Sequence, residues 1–448
     1  MWGYKVLGLP HSLSFLNHLP PSLSLPSPNH PLSSLMAEHN SSHNVSFKAN
    51  INVVNVKEIL ARDRARAKHL LAGRQPHGPV AFHRAKKSSH CHKGAGGSSE
   101  GGSSVGQTIA VTDAAVTYTA CVGVGQPATN YNLLIDTGSS NTWILGTSSK
   151  PYKPTSTSKD TRNKFEITYG LGSCSGTEYT DEVTLSPKLV IKDQPIGVAD
   201  QANQMDGLDG ILGIGPVDLT LNTMTPDSSN KDGILTVTDN LLKQKLISSE
   251  CIGVSYVPTT SADAANGSLS FGGPDSSKYT GKLNYVPITK QAPASNYWGI
   301  EQSVSYGSDM IMNECAGIMD TGTTLVMIAS DAFEEYRKQT GATMDQSLGL
   351  LTVTEEQYNN MQSMYFDIGG VKYEFTKNAQ IFPRSMNASL GSPEDKICLI
   401  IADMGTLSGQ GLDFINGFAF LQRFYSVYDV SNSQVGIATT EYTMATSN

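Results

Sequence analysis

The sequence predicts a mainly β protein built from two related lobes with a cleft between them, and three observations carry that expectation. The tripeptide Asp-Thr-Gly occurs twice, at Asp136-Thr137-Gly138 and Asp320-Thr321-Gly322, 184 positions apart. Each copy follows an apolar run, Leu133 to Ile135 or Ala316 to Met319, and precedes two hydroxyl residues, Ser139-Ser140 or Thr323-Thr324. So long a separation marks a duplicated lobe rather than a short-period solenoid. Segments 114–124 and 165–169 alternate apolar and polar residues as half-buried strands do. The 42 Gly and 21 Pro supply turns, and 448 residues at 39% hydrophobic content can fill one large core or two ordinary ones.

Taken in order, residues 1–46 form a leader without a signal-peptide pattern, because Pro10, Pro20, Pro21, Pro26, Pro28 and Pro31 interrupt any apolar stretch. Residues 47–105 read as a basic prosegment and linker. Between 47 and 93 there are eleven Lys or Arg against Glu58 and Asp63, a net of +9, whereas 94–448 carries twenty against thirty-seven, a net of −17. A cationic segment joined to an acidic body can be held by it, and acid weakens that hold by protonating carboxylates. Residues 61–70, rich in Arg and Ala, read as a helix, either solvated or part of this prosegment. The acidic remainder argues against nucleic-acid binding. The Gly/Ser run 94–104 is a linker, with Lys86-Lys87 a dibasic processing candidate upstream.

The first lobe is expected over 106–280 and the second over 281–448. Asn266-Gly267 reads as the turn of a hairpin between 251–257 and 268–271. Two short helices are expected: one opened by the capping box Thr354 to Gln357, the other capped by Ser330, running from Asp331 to Thr340 and stopped by Gly341. The cysteines Cys91, Cys121, Cys174, Cys251, Cys315 and Cys398 are scattered, with no metal or redox spacing and at most a long-range bridge. Sequons at Asn40, Asn44, Asn266 and Asn387 are compatible with export, and no apolar run reaches the length of a membrane span.

All ten histidines lie at or before His92. That leaves the body without an imidazole base for Ser-His-Asp or Cys-His catalysis and without the commonest zinc ligand, so no metal or cofactor is expected. Carboxylates remain for acid and base work. Two aspartates sharing one proton can hydrolyse a peptide bond, one drawing a proton from water while the other donates to the carbonyl oxygen; such dyads are a worked case of general pKa theory. Gly138 lets backbone approach Asp136, Thr137 can bond across to Thr321, and Ser139 can orient the carboxylate; Gly322 and Thr323 repeat these roles around Asp320.

With these residues in view, the chain from about Val105 to Asn448 resembles the pepsin-like aspartic proteinases, most closely the fungal polyporopepsin group. The resemblance implies the bilobal pepsin-like acid protease fold. Residues 167–172 look like the family's flap, with Tyr169 its tyrosine, Gly170 and Leu171 at its tip, and Trp143 supporting Tyr169. Residues 209–215 and 414–417 look like the segments behind the two Asp-Thr-Gly loops, the second departing from pattern at Asn416. The resemblance further implies apolar substrate pockets drawing on Leu134, Leu208, Ile211 and Tyr297, a polypeptide substrate with bulky apolar residues at the cut, and a monomer made as a zymogen. Its prosegment would inhibit it intramolecularly, and it would be secreted or vacuolar. Acid is expected to yield a product beginning near Gly101 to Gln107. The rival readings are a thiol hydrolase built on Gly172 to Gly176 around Cys174, which lacks a base, and a catalytically silent binding protein of the same fold, which would ordinarily have lost Asp136, Asp320, Tyr169 or an adjacent glycine.

Overall fold

A computed structural model describes residues 42–50, 56–73, 117–146, 150–170, 172–203, 208–226, 232–258, 267–388 and 391–446. Leu171, Asn266, Cys91, the Gly/Ser linker and the expected processing region lie outside these. The described residues are mainly β. A fourteen-stranded sheet joins the first-lobe strands to Thr280–Pro287, Phe424–Asp429 and Gln434–Thr439, and a seven-stranded sheet lies within residues 299–416.

The first strand, β1 (His43–Asn50), crosses the expected 46/47 boundary and is followed by helix α1 (Val56–Leu71). The first lobe then runs through β2 (Thr117–Val124), β3 (Thr129–Asp136), β4 (Trp143–Leu145), β5 (Lys159–Thr168), β6 (Ser173–Ser186), β7 (Leu189–Asn203) and β8 (Gly210–Gly213). The alternation that signals a strand is physical in β6, where Cys174, Gly176 and Glu178, and then Asp181, Val183 and Leu185, turn inward while their neighbours face out. β5 and β6 form a hairpin closed by the Tyr169 N–H donating to the Gly172 carbonyl at 3.0 Å.

The two Asp-Thr-Gly segments occupy equivalent places. β3 ends at Asp136 and lies parallel to β8, with Asp136 opposite Gly213. In the second lobe Asp309–Met319 ends one residue before Asp320 and lies parallel to Phe414–Asn416. Each loop is therefore threaded by a short strand from later in its own lobe. Glycines make the threading possible: a Cβ on Gly213 would strike the Ser140 and Asn141 backbone, and one on Gly417 the carbonyls of Leu325 and Thr323. The unusual Asn416 is accommodated by pairing with buried Gln302, its Nδ2 donating to Oε1 at 2.8 Å with a longer return bond of 3.4 Å. A satisfied amide pair costs little where a lone buried amide would be expensive.

The pairing of Cys251–Tyr256 with Gly267–Phe271 is present, but Gly267, expected in the turn, is a strand residue opposite Tyr256; Thr354 caps Glu355–Asn360 through a complete capping box. Ser330 differs from expectation. It is the first residue of the helix Ser330–Thr340, the cap position being Ala329, and its hydroxyl donates instead to Asp403 Oδ1 at 2.6 Å. Gly341 ends that helix in the left-handed conformation, as expected. The five described cysteines are all unpaired. The Asn387 sequon is closed to a glycan, because its side chain is buried and donates to the carbonyls of Pro393, Glu394 and Lys396. No helix among the described residues is long and apolar enough to cross a membrane.

Candidate active site

Asp136 and Asp320 are fully buried and converge between the lobes. Around Asp136, the Gly138 N–H donates to Oδ1 at 3.0 Å and the Ser139 hydroxyl to Oδ2 at 2.5 Å. Asp320 repeats the set, with Gly322 N–H on Oδ1 at 3.2 Å and Thr323 Oγ1 on Oδ2 at 2.6 Å. The halves are tied by their threonines: Thr137 N–H donates to Thr321 Oγ1 at 3.0 Å, and Thr321 N–H to Thr137 Oγ1 at 2.9 Å. A side chain on Gly138 would collide with Arg66 and with Asp320 Oδ1, and one on Gly322 with Arg66 and Asp136 Oδ1.

Tyr169 and Gly170 line the same small pocket as Gly138, Ser139 and Arg66. Trp143 Nε1 donates to the buried Tyr169 hydroxyl at 2.8 Å, which fixes the ring. Phe165, Ile167, Tyr169, Ile211 and Trp143 share one apolar cluster, against which Leu134 packs. Burial pushes the Tyr169 phenol well above its ordinary value, so it stays protonated. Leu208 is half-buried at the start of the described segment before β8, and Tyr297 is buried on the second-lobe side. The expected site residues other than Leu171, which is not described, thus lie in two mirrored loops, in β4 and the β5–β6 turn, and at the apolar positions Leu134, Leu208, Ile211 and Tyr297.

The family model for eukaryotic aspartyl proteases matches residues 117–440. The chain belongs to that family. It is 54% identical over 342 residues to polyporopepsin of Irpex lacteus, spanning 76% of this chain and 99% of that protein. It is 31% identical over 348 residues to cathepsin E of Rattus norvegicus, covering 72% and 79%. The crystal structure of the aspartic proteinase from Irpex lacteus superposes with a TM-score of 0.71 at 55% identity, covering 74% of this chain and 96% of that one. This protein is an aspartic endopeptidase that acts on polypeptides.

Sequence reasoning expected an inhibitory prosegment but did not name the residue that would enter the protease's cleft. Helix α1 lies in it, and Arg66 reaches both aspartates: Nη2 contacts Asp136 Oδ1 at 2.5 Å and Asp320 Oδ1 at 2.9 Å, while Nε contacts Asp320 Oδ2 at 2.7 Å. One nitrogen shared by two carboxylates fixes how closely they converge. Burial alone would raise the Asp320 carboxyl, but the Arg66 guanidinium and bonds from Thr323 and Gly322 hold it below its ordinary 3.8. Asp63, one turn back, turns its Oδ2 to the Thr324 and Leu325 N–H groups at 3.0 and 2.8 Å. Burial pushes its carboxyl up to about 6 against the opposing pull of Arg62 and those two amides.

The helix is further held by Arg62 on Thr324 Oγ1, Arg64 on Asp403, and the Tyr297 hydroxyl donating to the Leu70 carbonyl at 3.4 Å. Ile59, Asp63, Ala67 and Leu70 form its buried stripe. Gly170 rests on the backbone of Ala65 and Arg66, with no room for a Cβ. Upstream, β1 is an interior strand of the large sheet, paired with Gly267–Phe271 on one side and β2 on the other. Phe47, 1% exposed, packs edge-on against Tyr118 and Tyr256. Burying such a ring stabilises the docked strand by about 1.5–3 kcal/mol.

Proposed function

We propose that Asp136 and Asp320 are the catalytic dyad of this endopeptidase and that its leader is an intramolecular inhibitor removed at acid pH. The observation that carries both parts is Arg66 bound to the two carboxylates at once. While the guanidinium is there, the space in which a water and a scissile carbonyl would meet is filled, and neither carboxyl can serve as base or acid.

With the leader gone, the dyad carries one shared proton, assigned to the pair rather than to either residue. The ionised member takes a proton from water as its oxygen attacks the peptide carbonyl. The protonated member donates to the carbonyl oxygen, giving a neutral tetrahedral diol. Collapse breaks the C–N bond as one carboxyl gives its proton to the departing nitrogen and the other carboxylate takes a proton from a diol hydroxyl, which restores the singly protonated dyad. Gly138, Ser139, Gly322 and Thr323 orient the carboxylates, and the crossed Thr137 and Thr321 hold them convergent. Tyr169, fixed by Trp143, with Gly170 and Leu171, closes over an extended peptide. Leu134, Leu208, Ile211 and Tyr297 supply apolar walls for the residues beside the cut.

In this reading the chain is a monomer made as a zymogen and secreted, with lobes over 106–280 and 281–448 and an inhibitory leader that includes β1 and α1. The test is cleavage of denatured globin across acid pH by wild type, Asp136→Asn and Asp320→Asn, with a pepstatin-type inhibitor included. Acid-dependent cleavage lost in both variants and blocked by the inhibitor is expected. Cleavage surviving either substitution would refute the dyad.

A further inference from the structure

Arg64 reveals a second acceptor in the cleft. Its Nε donates to the Asp403 carbonyl oxygen at 2.9 Å and its Nη2 to Asp403 Oδ2 at 2.8 Å, a two-pronged grip on one residue. Asp403 is built to receive it. The other carboxylate oxygen, Oδ1, is already held by the Ser330 hydroxyl at 2.6 Å and the Gly405 N–H at 2.7 Å. Its backbone is fixed in a strand, Ile401–Asp403, parallel to Val326–Ile328, which begins six residues after Asp320. Oδ2 and the main-chain carbonyl are left to accept from Arg64, and the Ser330 and Gly405 bonds that orient the carboxylate do not involve the leader. The nearby Asp331 and Asp413 are otherwise engaged, binding the backbone of Ser408 and of Gly409 and Gln410.

We propose that, once the leader is removed, Asp403 is a specificity-determining residue that selects a cationic side chain of the substrate polypeptide, arginine above lysine. The inference rests on the cleft being the catalytic site proposed above. A guanidinium can satisfy the side-chain oxygen and the carbonyl together, as Arg64 does, whereas an ammonium offers no such fork. Arg64 and Arg66 stand two residues apart on a helix and so project to nearly opposite sides, which puts the acceptor on the order of 10 Å from the dyad. Along an extended peptide that is about three residues from the cut. The selected position is thus separate from the apolar residues flanking the scissile bond.

The experiment uses acid-processed enzyme and peptides identical except for arginine, lysine or the neutral isostere citrulline, placed two to four residues from the cut on either side. Wild type should show kcat/KM about tenfold higher for arginine than citrulline at one such position, the size expected of a partly exposed charge-assisted pair. In Asp403→Asn, which can keep the bonds from Ser330 and Gly405 through Oδ1, that ratio should fall to about one; Asp403→Ala should give the same ratio. Because each ratio is taken within one enzyme, a general loss of activity does not mimic the effect. No arginine preference at any position, or a preference that persists in both variants, would overturn the proposal. Wild type that cleaves no peptide would instead sink the dyad reading and this inference with it.

Discussion

Replacing Arg66 with alanine in the full-length chain should open the cleft while β1 and most of α1 keep their contacts. The side chain is 13% exposed and makes three short contacts to two fully buried carboxylates. Breaking a buried ion pair by removing one partner costs about 3–5 kcal/mol. Taking the lower end for the residual exposure, docking should weaken by about 3 kcal/mol, roughly 150-fold in the open fraction. The assay is the initial rate on a fluorogenic peptide at pH 5 to 6, with intact mass followed in parallel so that only unprocessed chain is counted. The variant should show a burst-free rate at least tens of times that of wild type and should begin to process itself at higher pH. Equal latency and an equal pH of onset in the two chains would refute the inhibitory role of Arg66.

The pH dependence has two opposing parts. Asp320 is depressed in the docked state, so its contribution to docking is present above the ordinary value of 3.8 and is lost as pH falls through the docked value, which favours release in acid. Asp63 is raised to about 6, so protonating it between about 6 and 3.8 favours docking. Asp63→Asn should therefore make the logarithm of the processing rate rise more steeply between pH 6 and 4, and an unchanged slope would contradict this. Tyr169→Phe strips Trp143 Nε1 of its partner and should lower kcat/KM on a peptide by about tenfold. Thr137→Val leaves the buried Thr321 N–H unpaired and should cost about 1–3 kcal/mol in urea unfolding of the processed enzyme.

The parts of this structure legible in the sequence are those with a local or duplicated signature. The two Asp-Thr-Gly loops and the strands behind them were readable because each depends on small residues where backbone must approach backbone, as at Gly213 and Gly417. The Thr354 capping box was readable because its bonds close within four residues. The leader was recognised by charge but not by placement. Arg62 and Arg66, four residues apart, share one helix face and Arg64 lies on nearly the opposite one, so charge on both sides resembles a solvated surface. Only the stripe of Ile59, Ala67 and Leu70, with an aspartate inside it, hinted that one face is buried. Ser330 misled for a related reason: its hydroxyl found Asp403, 73 residues away, and no local rule foresees a partner at that distance. Asn416 likewise depends on Gln302, 114 residues upstream.

The most direct test of the central claim follows intact mass and peptide cleavage together in one full-length sample stepped from near-neutral pH to acid. The account predicts an inactive, intact chain at first. In acid, a product beginning near Gly101 to Gln107 should appear in step with activity, and neither should appear in Asp136→Asn or Asp320→Asn. Full activity while the leader is still attached and docked at near-neutral pH, or conversion that proceeds unaided in both aspartate variants, would contradict it.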